Sequence, residues 1–258
     1  MRHALGPDRA RLSLLGTFDF TIDAKSVRLP LTAQRLLAFL GLEGPVDRQT
    51  AAGRLWPDTT DARAAASLRT ALSKVQSLCS AVVLSGGTHL SLATSVIIDV
   101  RELREVAGNV IAGNGSAMQA ARRLLELRGE LLPSWDEEWL AFEREELQQI
   151  HLQALESCSE RLSHAGHFAP AMMLAYEAIR TDPLRESALR RLIQIHLAQG
   201  NRVQALDVYR AFERQLWQDY HVRPSSMLQE LMRVRSSADD RQATTKGLRN
   251  VARGGWPV

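Results

Sequence analysis

A self-similarity at a spacing of 34 residues constrains this chain more than any other feature. Gly166-x4-Ala171-x3-Ala175-x2-Ala178 is matched by Gly200-x4-Ala205-x3-Tyr209-x2-Phe212. This is the period of stacked helical pairs, in which no unit buries its apolar face without its neighbours. Small alanines let the paired helices approach closely. Asp182-Pro183 predicts the start of the next helix, with proline where a missing N–H costs nothing. Residues 102–235 read throughout as consecutive helices. A Gly/Asn/Ser loop falls at 108–116, and Ser134-Trp135-Asp136-Glu137 predicts a capping box before a long helix to about residue 164.

Before residue 100 the pattern differs. Leu12, Leu14, Phe18, Phe20 and Ile22 alternate, and Ala24-Lys25 turns the chain toward Val27 and Leu29, as in a small antiparallel sheet. Thr32 is the expected cap of a helix over 33–42, with Gly41 and Gly44-Pro45 ending it. Asp47 caps a second helix over 48–55, closed by Trp56-Pro57. A third helix follows over 61–79. Ala81 to Leu84 and Thr88 to Leu92 then flank a glycine turn, as in a hairpin. Val96 to Val100 can add one more short strand. Three helices followed by a hairpin is the winged helix-turn-helix plan. In it the third helix enters the major groove and the hairpin lies along the neighbouring backbone.

The third helix carries the chemistry. With Leu72 turned inward, Leu68, Val75 and Cys79 fall within about 60° of it, and Ala65 joins them. The opposite side presents Arg63, Ser67, Thr70, Lys74 and Ser77, with Ala66 and Ser73 beside them. No acid lies on that side after Asp61. A solvated helix usually mixes glutamate with lysine. A face of cations, hydroxyls and small residues suits a groove lined by phosphates and base acceptors. Arg63, Ser67, Thr70 and Lys74 are therefore the expected base contacts. Arg48, Thr50, Arg69, Ser73, Ser77, Ser85 and Thr88 are the expected backbone contacts. Arg69, at the flank, either reaches a phosphate or lies across the domain's own surface. Charge distribution agrees. Residues 1–98 carry 11 Lys/Arg against 7 Asp/Glu, whereas residues 106–235 carry 15 against 17.

Other chemistries find little support. There is no phosphate loop of the Gly-x4-Gly-Lys type and no Gly-x-Ser-x-Gly elbow, so no enzyme is expected. His164-x2-His167 straddles Gly166 with no third ligand nearby, so neither metal nor cofactor is expected. Cys79 and Cys158 read as isolated packing thiols. No stretch is long and apolar enough to span a membrane, and no secretory leader is legible, which points to the cytoplasm. Residues 1–10 and the polar segment 236–258 are expected to be flexible.

Several motifs in this order resemble the Streptomyces antibiotic regulatory proteins. In the first half they are Leu12-x-Leu14-Leu15-Gly16-x-Phe18, Leu29-Pro30, Gln34 to Leu40, Leu55-Trp56-Pro57 and Ser67-Leu68-Arg69-x2-Leu72. Ala141 to Glu145, Asp182 to Glu186, Gly200 to Leu206 with Tyr209, and Val222-x-Pro224-Ser225 resemble that family's bacterial transcriptional activator domain. The resemblance implies a mainly α fold with a small β component. A winged helix-turn-helix over 11–101, of the response-regulator effector type, precedes an all-α tetratricopeptide-like activator domain over 102–235.

It also implies a job. Such proteins bind direct repeats in double-stranded promoter DNA, paired as homodimers on the DNA. They aid RNA polymerase holoenzyme at specialised-metabolite gene clusters. With no receiver or ATPase module in the sequence, the expectation is the small form of the family. A tetratricopeptide-type protein-interaction module without autonomous DNA binding is the alternative. Three places depart from the family pattern. Thr88-His89 stands where the wing carries tyrosine, Lys74 to Ser77 where paired arginines end the third helix, and Tyr220-His221 where Leu-Gly precedes Val222.

Overall fold

The computed structural model of the chain describes residues 10–78 and 81–233. The expected flexible segments over 1–9 and 236–258, and Cys79, lie outside the described residues. The chain divides into two compact units, one running to Cys158 and the other from Ser159.

In the first unit, β1 (Ala10–Ser13) and β2 (Asp19–Ile22) pair antiparallel, with Leu12 opposite Phe20. Ala10 does not belong to a flexible terminus: it is buried and paired with Ile22. Asp23 and Ala24 both take positive φ, making the two-residue turn into β3 (Lys25–Ser26) one residue earlier than expected. Alternation buries Leu12, Leu14 and Phe20 on one side.

Helix α1 (Leu31–Glu43) starts at Pro30, whose carbonyl accepts from Ala33 and Gln34. Thr32 lies inside the first turn and does not cap it. Gly41 does not end the helix either. It is buried within it, where a Cβ would come within 3.1 Å of Leu12 Cδ2. The glycine is there to let α1 approach the sheet. Gly44, at φ 81°, is the true end.

A two-residue strand β4 (Val46–Asp47) leads into α2 (Arg48–Leu55), and Asp47 accepts from the Gln49 amide at 2.8 Å as the capping reading requires. Then come α3 (Asp61–Leu78) and the hairpin β5 (Val83–Gly86) and β6 (His89–Leu92). β4 had no signal in the sequence. It pairs with β6, giving a sheet of order β4-β6-β5. β7 (Ile97–Ile98) runs parallel to β1, so the chain returns to the N-terminal sheet.

Helix α4 (Asp99–Ile111) follows without a linker, so residues 101 and 102 lie in one helical turn. Asp99 is buried and accepts from the amides of Leu14, Leu15 and Val100 at 2.8–3.0 Å. Burial pushes its carboxyl above the ordinary value, against the opposing pull of those three amides. α5 (Ala117–Glu126) is capped by Ser116, and the expected loop over 108–116 shrinks because α4 continues through Gly108.

The long helix α6 (Glu138–His164) begins after Glu137. The capping box is not formed. Glu137 instead accepts from Arg35 at 2.6 Å and from the Trp139 indole at 3.1 Å. Trp139 meets Phe39 of α1 edge to face at 5.3 Å, and Arg144 donates to the carbonyls of Leu131, Leu132 and Trp135. Half-buried ion pairing and carbonyl capture won over a local cap, because the segment before α6 lies on the core of the winged helix.

In the second unit, α7 (Phe168–Thr181) packs on α8 (Glu186–Ala198) and α8 on α9 (Arg202–Tyr220), and residues 226–233 form a closing helix. α7 and α9 begin one repeat period apart, after Gly166 and Gly200, whose φ values are 80° and 79°. Leu189, Ile193, Ala205, Phe212 and Leu228 form one buried core cluster. Pro183 is not in the first turn of α8. It sits in the preceding turn, where Asp182 accepts from Leu184 and Arg185. His221 closes α9 in the left-handed region at φ 56°, and its ring meets the Trp217 edge.

Candidate nucleic-acid interface

α3 packs on α1 and α2 through Ala64, Leu68, Ala71, Leu72 and Val75, all buried. The centre of that buried stripe lies about 50° from Leu72, toward Ala71. Phasing on Leu72 alone thus misplaces the arc by half a residue. Ala65 and Ser67 are half-buried at its edges. Ala64 and Ala71, spaced seven apart, were the available signal, and two alanines weigh little against leucines in a hydrophobic count.

The exposed arc runs over Ala62, Arg63, Ala66, Arg69, Thr70, Ser73, Lys74, Gln76 and Ser77. Its middle is small: Ala66, Thr70, Ser73 and Ser77. Arg69 stands on one flank and Arg63 with Lys74 on the other. Gln76 is exposed as well. Asp61 is the one acid in α3 and lies in its first turn, where a negative charge favours the helix dipole.

Hydrogen bonding sorts these side chains further. Thr70 Oγ1 donates to the Ala66 carbonyl at 3.0 Å and Ser77 Oγ to the Lys74 carbonyl at 2.8 Å. Their protons are spent on their own helix. The side chains of Arg63, Arg69 and Lys74 make no hydrogen bond or ion pair with another described residue. Several other arginines of this unit are occupied: Arg35 by Leu55 and Glu137, Arg54 by Glu43, Arg104 by Glu143 and Glu146.

Arg48 has a different place from the one its position suggests. Its guanidinium donates to Ser85 Oγ and its amide donates to the Thr88 carbonyl at 2.8 Å. Asp47 pairs with His89 in the sheet. Arg48, Ser85 and Thr88 are therefore brought together, and they tie the start of α2 to the hairpin. Thr88 Oγ1 also meets His89 Nδ1 at 3.0 Å. Thr50 is exposed on α2. Between α2 and α3 lies a cleft of about 470 Å³ lined in part by Arg48, Gln49, Ala52, Asp61, Leu68 and Arg69.

Among the described residues no group of three or more His, Cys, Asp or Glu is placed to hold a metal ion. Cys158 is buried, with its thiol against the Ala117 carbonyl. No helix among the described residues is long and apolar enough to cross a membrane.

A helix-turn-helix with a hairpin wing, continued by packed helical pairs, is the architecture of a transcription regulator. The model of the bacterial transcriptional activator domain matches residues 98–234. Among solved structures, Mycobacterium tuberculosis EmbR in complex with a low-affinity phosphopeptide is similar in fold. Its TM-score is 0.71 at 21% identity, covering 95% of this chain and 71% of its own. No curated protein matches the chain. The chain belongs to the bacterial transcriptional activator domain family, as a transcriptional activator of the Streptomyces antibiotic regulatory type. That family is one of transcription factors rather than enzymes.

Proposed function

We propose that this activator binds direct repeats in promoter DNA as side-by-side copies. On that DNA it aids RNA polymerase holoenzyme at a specialised-metabolite gene cluster in the cytoplasm. Residues 11–101 bind the DNA, and 102–235 support pairing and activation. α3 enters the major groove, with Arg63, Ser67, Thr70 and Lys74 toward base edges. Thr50, Arg69, Ser73, Ser77, Ser85 and Thr88 lie toward the sugar-phosphate backbone. Arg48 acts there mainly by holding the wing in place.

One observation carries this reading. The exposed arc of α3 is acid-free beyond Asp61 and holds three cationic side chains with no partner among the described residues. Unpaired cations beside small residues suit phosphates and base acceptors more than they suit water.

A protein-interaction role for the helical repeats finds support in Met173, Tyr176, Val203 and Trp217, which are exposed in the second unit. Footprinting separates the two. Purified chain on the intergenic DNA next to its own gene is expected to protect two same-orientation repeats and to stimulate run-off transcription. Protection of no sequence, together with capture of protein partners alone, overturns the DNA-binding reading.

A further inference from the structure

We infer that Ala66 and Thr70 read thymine through their methyl groups. The inference rests on the DNA-binding reading of α3 and deepens it, because it names the chemistry at the centre of the reading face.

The long donors Arg63, Arg69 and Lys74 stand on the two flanks of the arc, while Ala66 and Thr70 are both exposed at its middle. Such an arc fits a groove whose walls are phosphates and whose floor is approached closely. Arg63 and Lys74 reach base edges from their flank, and the contacts at the centre of the floor fall to the short side chains. Thr70 has already given its proton to the Ala66 carbonyl, so its hydroxyl can only accept. The major-groove floor presents one apolar group, the thymine 5-methyl, and alanine and threonine methyls are its partners. Thr70 Cγ2 and Ala66 Cβ are therefore the groups this helix centre has to offer there.

The spacing adds a second constraint. Four residues of α-helix advance about 6 Å. Base pairs advance about 3.4 Å along one strand. The two methyls thus address thymines about two steps apart.

The test pairs one methyl on the protein with one on the DNA. Wild-type chain first selects its preferred site from a random duplex library. Each thymine of that site is then replaced in turn by deoxyuridine, which lacks only the 5-methyl. Two positions about two steps apart are expected to lose about fourfold in affinity, the worth of one buried methyl. Thr70→Ser keeps the back-bonding hydroxyl and removes only Cγ2. It is expected to bind the thymine site about fourfold more weakly, and to lose nothing further on deoxyuridine at one of the two positions. Ala66→Gly does the same at the other. Unchanged circular-dichroism melting of Thr70→Ser confirms an intact fold.

A wild type indifferent to every deoxyuridine overturns the inference. So does a Thr70→Ser chain that stays as sensitive as wild type at both positions. Selection of no sequence at all overturns the DNA-binding reading, and the methyl contacts fall with it.

Discussion

Gly41 offers the sharpest test of how the first unit is built, because Gly108 provides its control. Both lie inside helices, α1 and α4, without positive φ. Intrinsic propensity therefore favours alanine at both by about 0.5–1 kcal/mol. Their surroundings differ. A Cβ at Gly108 meets nothing within 4 Å. A Cβ at Gly41 meets Leu12 Cδ2 at 3.1 Å, Leu14 Cδ1 at 3.4 Å and Ile98 Cδ1 at 3.8 Å. Leu12 and Leu14 are fully buried and have nowhere to go.

Gly108→Ala is thus expected to stabilise the unit by about 0.5–1 kcal/mol. Gly41→Ala should come out near zero, its propensity gain offset by contact with Leu12. Gly41→Val forces two more methyls into β1 and β7 and should destabilise by about 1–3 kcal/mol. Urea denaturation followed by amide exchange within residues 10–158 reads all three. Equal stabilisation by both alanines, with a neutral valine, would refute the close approach of α1 to the sheet.

Other expectations follow from single contacts. Leu72→Asp places a charge among buried residues without a partner and should remove about 4 kcal/mol or more, unfolding the winged helix in a thermal melt. An unshifted melt would contradict the phase of α3. Glu137→Gln leaves Arg35 without its carboxylate, where both side chains are less than one-fifth exposed, and should cost about 1–3 kcal/mol in urea. No change would mean that the pair is solvated and idle. His196 is buried, its Nδ1 has no partner among the described residues, and burial holds its imidazole below the ordinary value. Its contribution is present above about pH 6.5 and is lost as pH falls through the lowered folded value. Amide protection of α8 should therefore weaken on acidification in wild type and stay flat in His196→Leu.

What the sequence made legible and what it hid have separate causes. Period-2 and period-3.6 patterns located the strands and helices, because burial repeats with the backbone geometry. The 34-residue spacing placed Gly166 and Gly200 at equivalent helix ends for the same reason. Long-range partners left no local trace. β4 is two residues long and exists only because β6 lies beside it. Glu137 resembles a local cap, and only the fold brings Arg35 to it.

The activator-domain motifs were read as a signature, and the structure gives several of them packing jobs. Arg144 gathers three carbonyls, Glu143 pairs with Arg104, and Glu186 accepts from Ser225. The reading face fell between these extremes. Its residue types were visible in the sequence. Its rotation depended on two buried alanines whose neighbours the sequence does not name.

The most direct measurement concerns the cations of α3. Equilibrium binding of full-length wild type and of the Arg63→Ala/Lys74→Ala chain should be compared on the selected duplex across a salt series. Wild-type affinity should fall steeply with salt through counterion release. The doubly substituted chain should be weaker by about 1–3 kcal/mol for each lost contact and less selective at those base pairs. A folded double variant with wild-type affinity and the same salt slope would mean that this face does not meet DNA.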